Sequence, residues 1–333
     1  MRKYKTILKY ITKMDYKNMF KIVYKISKKS KNNIIYIFFD VIASGIIYGA
    51  GYYDYQEFEF YLLSKKERKT YLTRAKNNQI IKKYNNQDLF YKFDDKSIFN
   101  EIFKNHLKRE YIIVNDKKFN DFKKITKKHK ELILKPIDGV GGVGIEKIII
   151  NSSSDLEKIF NKLIKNKQYL VEECLKQHPK ISKLYTDSVN TLRLFTFYDG
   201  KEAHVLNSVF KIGNGGVTDN FSSGSMYTFT DDEGKIIVPA IDQEDNIYSF
   251  HPITKEKIVG FTVPLYKEAC DLVKKASSVV PDVKYIGWDV AITSDGPAII
   301  EGNSYPGVFQ IKPSLSLKKE GLIPKYAKIM KID

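Results

Sequence analysis

The stretch from Tyr285 to Pro306, YIGWDVAITSDGPAIIEGNSYP, constrains the chain more tightly than any other. Two apolar runs, Ile286 to Ile292 and Ala298 to Ile300, flank Ser294-Asp-Gly296. This pattern predicts a β-hairpin with a three-residue loop and glycine at its left-handed position. Pairing outward from Asp295 sets Asp289 opposite Glu301, and directly opposed residues share a face with Cβ atoms about 4.5–5.5 Å apart. Asn303 follows Glu301 by two and joins the same face if the strand continues. A two-residue Asp-Gly turn would set Asp289 opposite Gly302 instead, so the register depends on the turn. Two carboxylates and an amide oxygen brought this close call for a hard cation. Mg²⁺ held by one or two carboxylates, with phosphates and water completing its shell, suits that donor set. The plain alternative is a surface hairpin with a polar end. The Val, Ala and Ile around Asp289 argue against it, because they describe a buried strand, and buried acids need partners.

A chain of 333 residues can bury a large core in two or three domains. Its 43% hydrophobic and 13% aromatic content excludes general disorder. The formal net charge of +17 predicts an anionic partner. Two cysteines, Cys174 and Cys270, make neither a disulfide framework nor a zinc cluster, and a reducing cytoplasm is the expected home.

Residues 1–31 hold eleven Lys and Arg against one acid, Asp15, and so contribute +10 of the +17. Lysines recur at 5, 9, 13, 17, 21, 25 and 29, with Tyr4, Ile7, Leu8, Ile11, Met14, Ile22, Val23 and Ile26 at helical spacing. A basic amphipathic helix, or two short ones, is predicted. Lysines run through it without an apolar core or cleavage site, so it is no signal peptide. Such a helix can lie on anionic lipid or cap the domain behind it. Nucleic acid is disfavoured, since no recognised binding module accompanies the charge. Residues 34–53 are mostly apolar but are interrupted by Asp40 and three glycines. A spanning helix needs about 20 predominantly apolar residues, so a buried helix or a monotopic insertion is expected rather than a span. The whole block 1–88 reads as helical.

Further along, helices are expected over Ser97–Lys108 and around Lys118–Ile125, with a short strand at Tyr111–Val114 between them. Glu131 to Ile137 reads as a strand, followed by the loop DGVGGVG (Asp138 to Gly144) and the strand Ile145–Ile150. Gly139, Gly141, Gly142 and Gly144 allow backbone N–H groups to wrap an anion. No Gly-Lys-Ser/Thr follows and the next element is a strand, which excludes a P-loop. Lys135, on the preceding strand, would stand as a point charge against phosphates. Ser154-Asp-Leu-Glu157 reads as a capping box for a helix over 155–165. QYLVEECL, Gln168 to Leu175, reads as a strand entering a connector. Val189 to Phe197 alternates, with Leu192, Leu194 and Thr196 facing one way and Arg193, Phe195 and Phe197 the other. An arginine on an otherwise apolar face needs an anionic partner.

Lys135 before the glycine-rich loop, the Glu172-Glu-Cys-Leu175 connector, and the hairpin with Asp289, Glu301 and Asn303 together resemble the ATP-grasp superfamily. The chain is most similar to the sugar-transfer-associated branch of that superfamily, which is linked to exopolysaccharide or capsule synthesis. Tyr55, Phe58, Phe60 and Tyr61 carry that likeness. So do Glu67, Arg68, Tyr71, Leu72 and Thr73, then Asp95, Lys96 and Phe99, and the run Asp219-Asn-Phe-Ser222. The resemblance implies an α+β fold in which two subdomains, about 89–175 and 176–333, sandwich ATP behind a helical region over 1–88. It implies Lys96 and Lys135 as ATP-binding lysines, and backbone from Glu172 through Glu173 to Leu175 along the adenine edge. His178 is a candidate ribose ligand, and Asp289, Glu301 and Asn303 are the implied Mg²⁺ ligands. Arg193 would contact the transferred phosphate, with Lys211 and Asn220 as further phosphate- or metal-side groups. The pattern departs from classical members in two places. Residues 1–88 look helical where those carry a Rossmann-like domain, and Gly287 stands where D-alanine–D-alanine ligase carries an arginine.

The resemblance therefore implies an ATP- and Mg²⁺-dependent carboxylate–amine ligase working through an acyl phosphate. Its substrate would be a small-molecule or lipid-linked sugar of a surface polysaccharide, modified with an amino acid. The alternatives are a kinase of such a precursor and a non-catalytic, nucleotide-binding, membrane-attached scaffold. The expected location is the cytoplasm, peripherally at the inner face of the membrane through residues 1–31.

Overall fold

A computed structural model of the chain describes residues 15–139, 141–216, 219, 221 and 224–332. The chain divides into two compact units, Met1–Lys83 with Gly307–Asp333, and Tyr84–Pro306. The helical reading ends near 88, and the resemblance sets 307–333 in one subdomain with the hairpin before it. In the structure that terminal stretch belongs to the helical unit, and hydrogen bonds tie it there. Gln310 accepts from the Leu72 N–H (3.2 Å) and donates to the Leu72 carbonyl (2.8 Å). The Ser314 N–H donates to the Glu59 carboxylate, and the Ile323 N–H to the Thr70 carbonyl. Such pairing between distant segments leaves no trace in composition.

The helical unit begins with α1 (Tyr16–Ser30), capped by the Asp15 side chain, which accepts from the Asn18 N–H. Helix α2 (Ile34–Tyr48) is capped by Asn33 and ends at Gly49, whose φ of 68° suits glycine. Met19, Ile22, Val23 and Ile26 of α1 and Ile37, Val41 and Tyr48 of α2 are buried. The lysine ladder from 17 onward lies on α1, whereas Lys5, Lys9, Lys13 and the apolar residues up to Met14 lie outside the described residues. Asp40 does more than interrupt an apolar run. It accepts two hydrogen bonds from Arg68, each 2.6 Å, and one from the Tyr55 hydroxyl at 2.6 Å. Arg68 also donates through Nε to the Phe60 carbonyl and lies over the Tyr55 and Phe60 rings. A charge of each sign is thus satisfied inside the unit. Among the described residues no helix is long and apolar enough to cross a membrane.

The other unit holds two antiparallel sheets. The smaller contains β1 (Tyr111–Ile113), β2 (Glu131–Lys135), β3 (Glu146–Ile149) and β4 (Leu170–Glu173), in the order β1-β4-β2-β3. The larger contains β5 (Thr191–Tyr198), β6 (Ala203–Ile212), β7 (Met226–Phe229), β8 (Ala240–Ile241), β9 (Ile247–Tyr248), β10 (Tyr285–Thr293) and β11 (Gly296–Asn303). Their order is β11-β10-β5-β6-β7-β8-β9. Helices α3 (Lys96–Ile102), α4 (Phe119–Lys128) and α5 (Leu156–Lys165) belong to this unit. Phe122 and Ile125 of α4 and Phe160 and Leu163 of α5 pack with Leu132, Leu134 and Val171 on one face of the smaller sheet. This leaves Ile133, Lys135 and Glu172 on the other face. A fourth helix, α6 (Tyr266–Ser277), sets Ala269, Val273 and Ala276 against Ile286, Trp288, Val290 and Ile292 of β10.

Two local expectations change. The helix expected over Ser97–Lys108 breaks at Phe103, whose ring packs edge-on against Trp288 at 5.3 Å, and continues only as the short Lys104–Leu107. Helix α5 is capped by Asp155, which accepts from Lys158, while Ser154 accepts from the Asn151 N–H within the preceding turn.

Candidate active site

The hairpin places Asp289 opposite Glu301 and Gly287 opposite Asn303. The route to that register differs from the expected three-residue loop. The ladder closes at Thr293 opposite Gly296, so the turn is the two residues Ser294-Asp295. A turn that short carries Val290 onto Ile299, and alone it would set Asp289 against Ile300. A bulge intervenes between Asp289 and Val290, and Ile300 is the extra residue that restores the pair. The bulge also decides faces. Ile299 points into the core with Val290, while Glu301, only two residues on, points with Asp289 to the opposite side.

Beside β10, Arg193 of β5 lies opposite Asp289, so Arg193, Asp289 and Glu301 form one row across three strands. The partner required by Arg193 is therefore Asp289. Nε donates to Oδ1 at 2.7 Å and Nη2 donates to Oδ2, with Glu301 Oε1 3.7 Å from Nη2. Lys211 of β6 donates to the same Asp289 oxygen, Oδ2, at 2.9 Å. Burial alone would raise the Asp289 pKa, but the Arg193 and Lys211 charges and the Arg193 hydrogen bonds hold it well below the usual carboxylate range. Partial desolvation and then the Asp289 charge raise Glu301, against the pull of Arg193 and Lys211. Glu301 is 45% exposed where Asp289 is 5%, so Glu301 is the more accessible carboxylate of the pair. Asn303 Nδ2 donates to the Gly287 carbonyl at 3.2 Å, which fixes the orientation of the amide.

The core face explains the glycine between Glu301 and Asn303. Gly302 lies opposite Trp288, and a Cβ there would come within 3.0–3.1 Å of Trp288, Phe93 and Phe99. Trp288 is fully buried, and its indole N–H is satisfied by Thr196 at 2.9 Å.

A second charged cluster sits on the smaller sheet. Glu172, 2% exposed, accepts from Lys135 (2.6 Å), Arg109 (2.9 Å) and Asn100 (2.8 Å). Burial opposes ionisation, but Arg109 and Lys135 keep its pKa well below the ordinary range. Arg109 continues to the hairpin, donating to the Ile299 carbonyl at 2.6 Å and the Ile300 carbonyl at 3.1 Å. It ties the bulge to the acid that holds Lys135. The Lys96 ammonium donates to the Gly139 carbonyl at 2.7 Å. Its pKa is lowered by burial first, and it feels the charges of Glu301, Lys135 and Glu172. Lys96 is thus a cation within electrostatic reach of both clusters. Gly139, Gly141, Gly142 and Gly144 all adopt φ between 72° and 112°, backbone that L side chains rarely enter.

The remaining predicted residues are placed less directly. In the connector, the Glu173 N–H donates to the Glu110 carbonyl and the Cys174 N–H to the Glu131 carbonyl, so both donors serve the sheet edge. Leu175 follows in the connector, half-buried. His178 caps the short helix Pro179–Ser182 through Nδ1, which accepts from the Lys180 N–H at 3.1 Å. Asn220 lies outside the described residues. Two residues were missed as site members, Arg109 and Asp219. Asp219 accepts from the Thr191 N–H at 2.8 Å and from the Thr191 hydroxyl, and burial, then the Asp289 charge, raise its pKa while Lys211 lowers it. An arginine ahead of a three-residue strand carries no sequence signal of this role. Asp219 was visible only within the Asp219-Asn-Phe-Ser222 run.

Two antiparallel sheets, a glycine loop with lysines beside it, and a carboxylate pair on a terminal hairpin define an ATP-grasp fold. Residues 75–328 match the family described as sugar-transfer associated ATP-grasp, and the chain belongs to that family. No curated protein matches the chain significantly. Solved structures to which it is similar include the ATP-grasp ligase PsnB complexed with precursor peptide PsnA2 and AMPPNP, at 12% identity and a TM-score of 0.40, covering 68% of this chain and 54% of that one. The D-alanine–D-alanine ligase of Bacillus anthracis complexed with ATP is similar at 18% identity and a TM-score of 0.38, covering 70% and 59%. The D-alanyl-alanine synthetase A of Vibrio cholerae O1 biovar eltor str. N16961 is similar at 10% identity and a TM-score of 0.40, covering 71% and 60%. The chain spans little more than half the length of these proteins.

Proposed function

We infer that the protein is an ATP- and Mg²⁺-dependent, ADP-forming carboxylate–amine ligase. The observation that carries the reading is the row Arg193–Asp289–Glu301, with Lys211 and Asn303 on the same face. Two carboxylates and an amide oxygen suit a hard divalent ion, and a cation there would relieve the repulsion between the paired Asp289 and Glu301 carboxylates. Asp289, Glu301 and Asn303 would hold Mg²⁺, which supplies charge neutralisation at the phosphates of ATP.

The chain's own groups position and neutralise. Lys96 and the glycine loop would cover the phosphates, and Lys135 would add a cation once Glu172 shares it. Arg193 and Lys211 stand against the negative charge that develops as the substrate carboxylate oxygen attacks the γ-phosphorus and the bond to the β-phosphate oxygen breaks. ADP leaves, the amine attacks the acyl carbon, and the C–O bond to phosphate breaks, releasing phosphate. The proton lost by the amine passes to solvent. The family's association with sugar transfer supports an amino acid joined to a saccharide or its nucleotide- or lipid-linked precursor. ADP release that depends on an added carboxylic acid, with hydroxylamine trapping the acyl phosphate as a hydroxamate, is the expected result. Phosphate left stably on a hydroxyl would make the enzyme a kinase, and no ATP turnover with any acid would leave a binding protein.

A further inference from the structure

Helix α2 is apolar on two opposite sides. Ile37, Val41 and Tyr48 are buried, as expected of a helix that closes a core. On the other side Ile35, Phe39, Ile42 and Ile46 are exposed by 63%, 63%, 37% and 55%. Their spacings of four, three and four set them in one stripe. The stripe continues onto α1, where the Phe20 ring stacks on Phe38 at 5.4 Å while Phe20 itself stays 53% exposed. Contiguous exposed apolar surface of this kind marks an interaction site.

Charge identifies the partner. Lys17, Lys21 and Lys28 of α1 are exposed, and the one acid within α2, Asp40, is spent on Arg68 and Tyr55. An apolar stripe beside a lysine rim, on a 15-residue helix too short to span a bilayer, is the composition of an element that lies in a membrane interface. A two-fold dimer through this face would set the α1 lysines of one copy near those of the other. An anionic surface complements them instead. We propose that α2 docks on a phospholipid leaflet rich in anionic headgroups, with Ile35, Phe39, Ile42 and Ile46 among the acyl chains and the α1 lysines at the headgroups. This attachment is independent of the ligase chemistry.

Co-sedimentation of the full chain tests it, with vesicles of equal parts phosphatidylglycerol and phosphatidylcholine against vesicles of phosphatidylcholine alone. Binding to the anionic vesicles that weakens with added NaCl is expected. Phe39→Asp and Ile46→Asp are each expected to weaken partitioning about tenfold or more, while Phe39→Leu retains it. Both side chains are exposed in the soluble protein, so thermal melts should stay within a few degrees of wild type. Vesicle binding that is equal for wild type and both Asp variants, or absent for wild type, overturns the proposal. A dimer that Phe39→Asp dissociates, with no vesicle binding, would assign the face to a second copy and overturn it too.

Discussion

Replacing Glu172 by Gln isolates the buried ion network that links the two sheets' charged faces. The substitution keeps the shape, removes the charge, and turns an amide nitrogen toward a cation. Arg109 is 3% exposed and Lys135 13%, so neither can recover full hydration without local opening. Breaking a buried pair by neutralising one partner costs about 3–5 kcal/mol. That is a large part of the roughly 5–15 kcal/mol that holds a domain folded. With a urea dependence of about 3 kcal/mol per molar, the unfolding midpoint should fall by about 1–1.7 M. Trp288 is the sole tryptophan of the sequence and is fully buried on β10, so its emission reports the unfolding of the Tyr84–Pro306 unit. The pH dependence has a definite sign. The folded Glu172 pKa lies below its unfolded value of about 4.3, so its stabilisation is complete above that pH and is lost as pH falls toward the folded value. The gap between wild type and Glu172→Gln should therefore hold constant at neutral and mildly acidic pH and narrow below about pH 4. A midpoint shift under about 0.3 M, or a gap that widens with acid, would refute the network's role.

Arg193→Lys loses the two-pronged contact with Asp289 and should lower kcat about 100-fold in the acid-dependent ADP assay, at a KM for ATP nearly unchanged. Removing Ile300 deletes the bulge residue and lets the hairpin pair regularly with Asp289 still opposite Glu301. Mg²⁺-dependent turnover should persist while stability drops with the loss of an Arg109 acceptor, and abolished turnover in a folded variant would show that the bulge does more than set register. Gly302→Ala forces a methyl against Trp288, Phe93 and Phe99 and should cost about 1–3 kcal/mol by urea unfolding, with a shifted Trp288 emission maximum.

Much of the site was legible because β-pairing is a short-range rule. Once a turn is placed between two apolar runs, the residues facing each other follow from counting. The count succeeded here through two offsetting departures, a turn one residue shorter than expected and a bulge one residue long. Local chemistry alone did not favour Ile300 as the bulge. Its carbonyl and that of Ile299 are held by Arg109, about 190 residues earlier in the chain. Asp40 was equally opaque, since an acid in an apolar run reads as an interruption until Arg68, 28 residues away, folds onto it.

From the sequence alone came the alternation that faces Arg193 away from Leu192 and Leu194, the glycine loop behind Lys135, and the Asp289–Glu301–Asn303 set. Each is a matter of residues within a few positions of one another, where backbone geometry leaves few choices. The tertiary structure decided which charges meet. Asp289 answers both Arg193 and Lys211, Glu172 rather than solvent holds Lys135, and the stretch after Gly307 returns to the helices. Those pairings depend on desolvating charges together, and the free energy of doing so is set by contacts between segments that lie far apart in the chain.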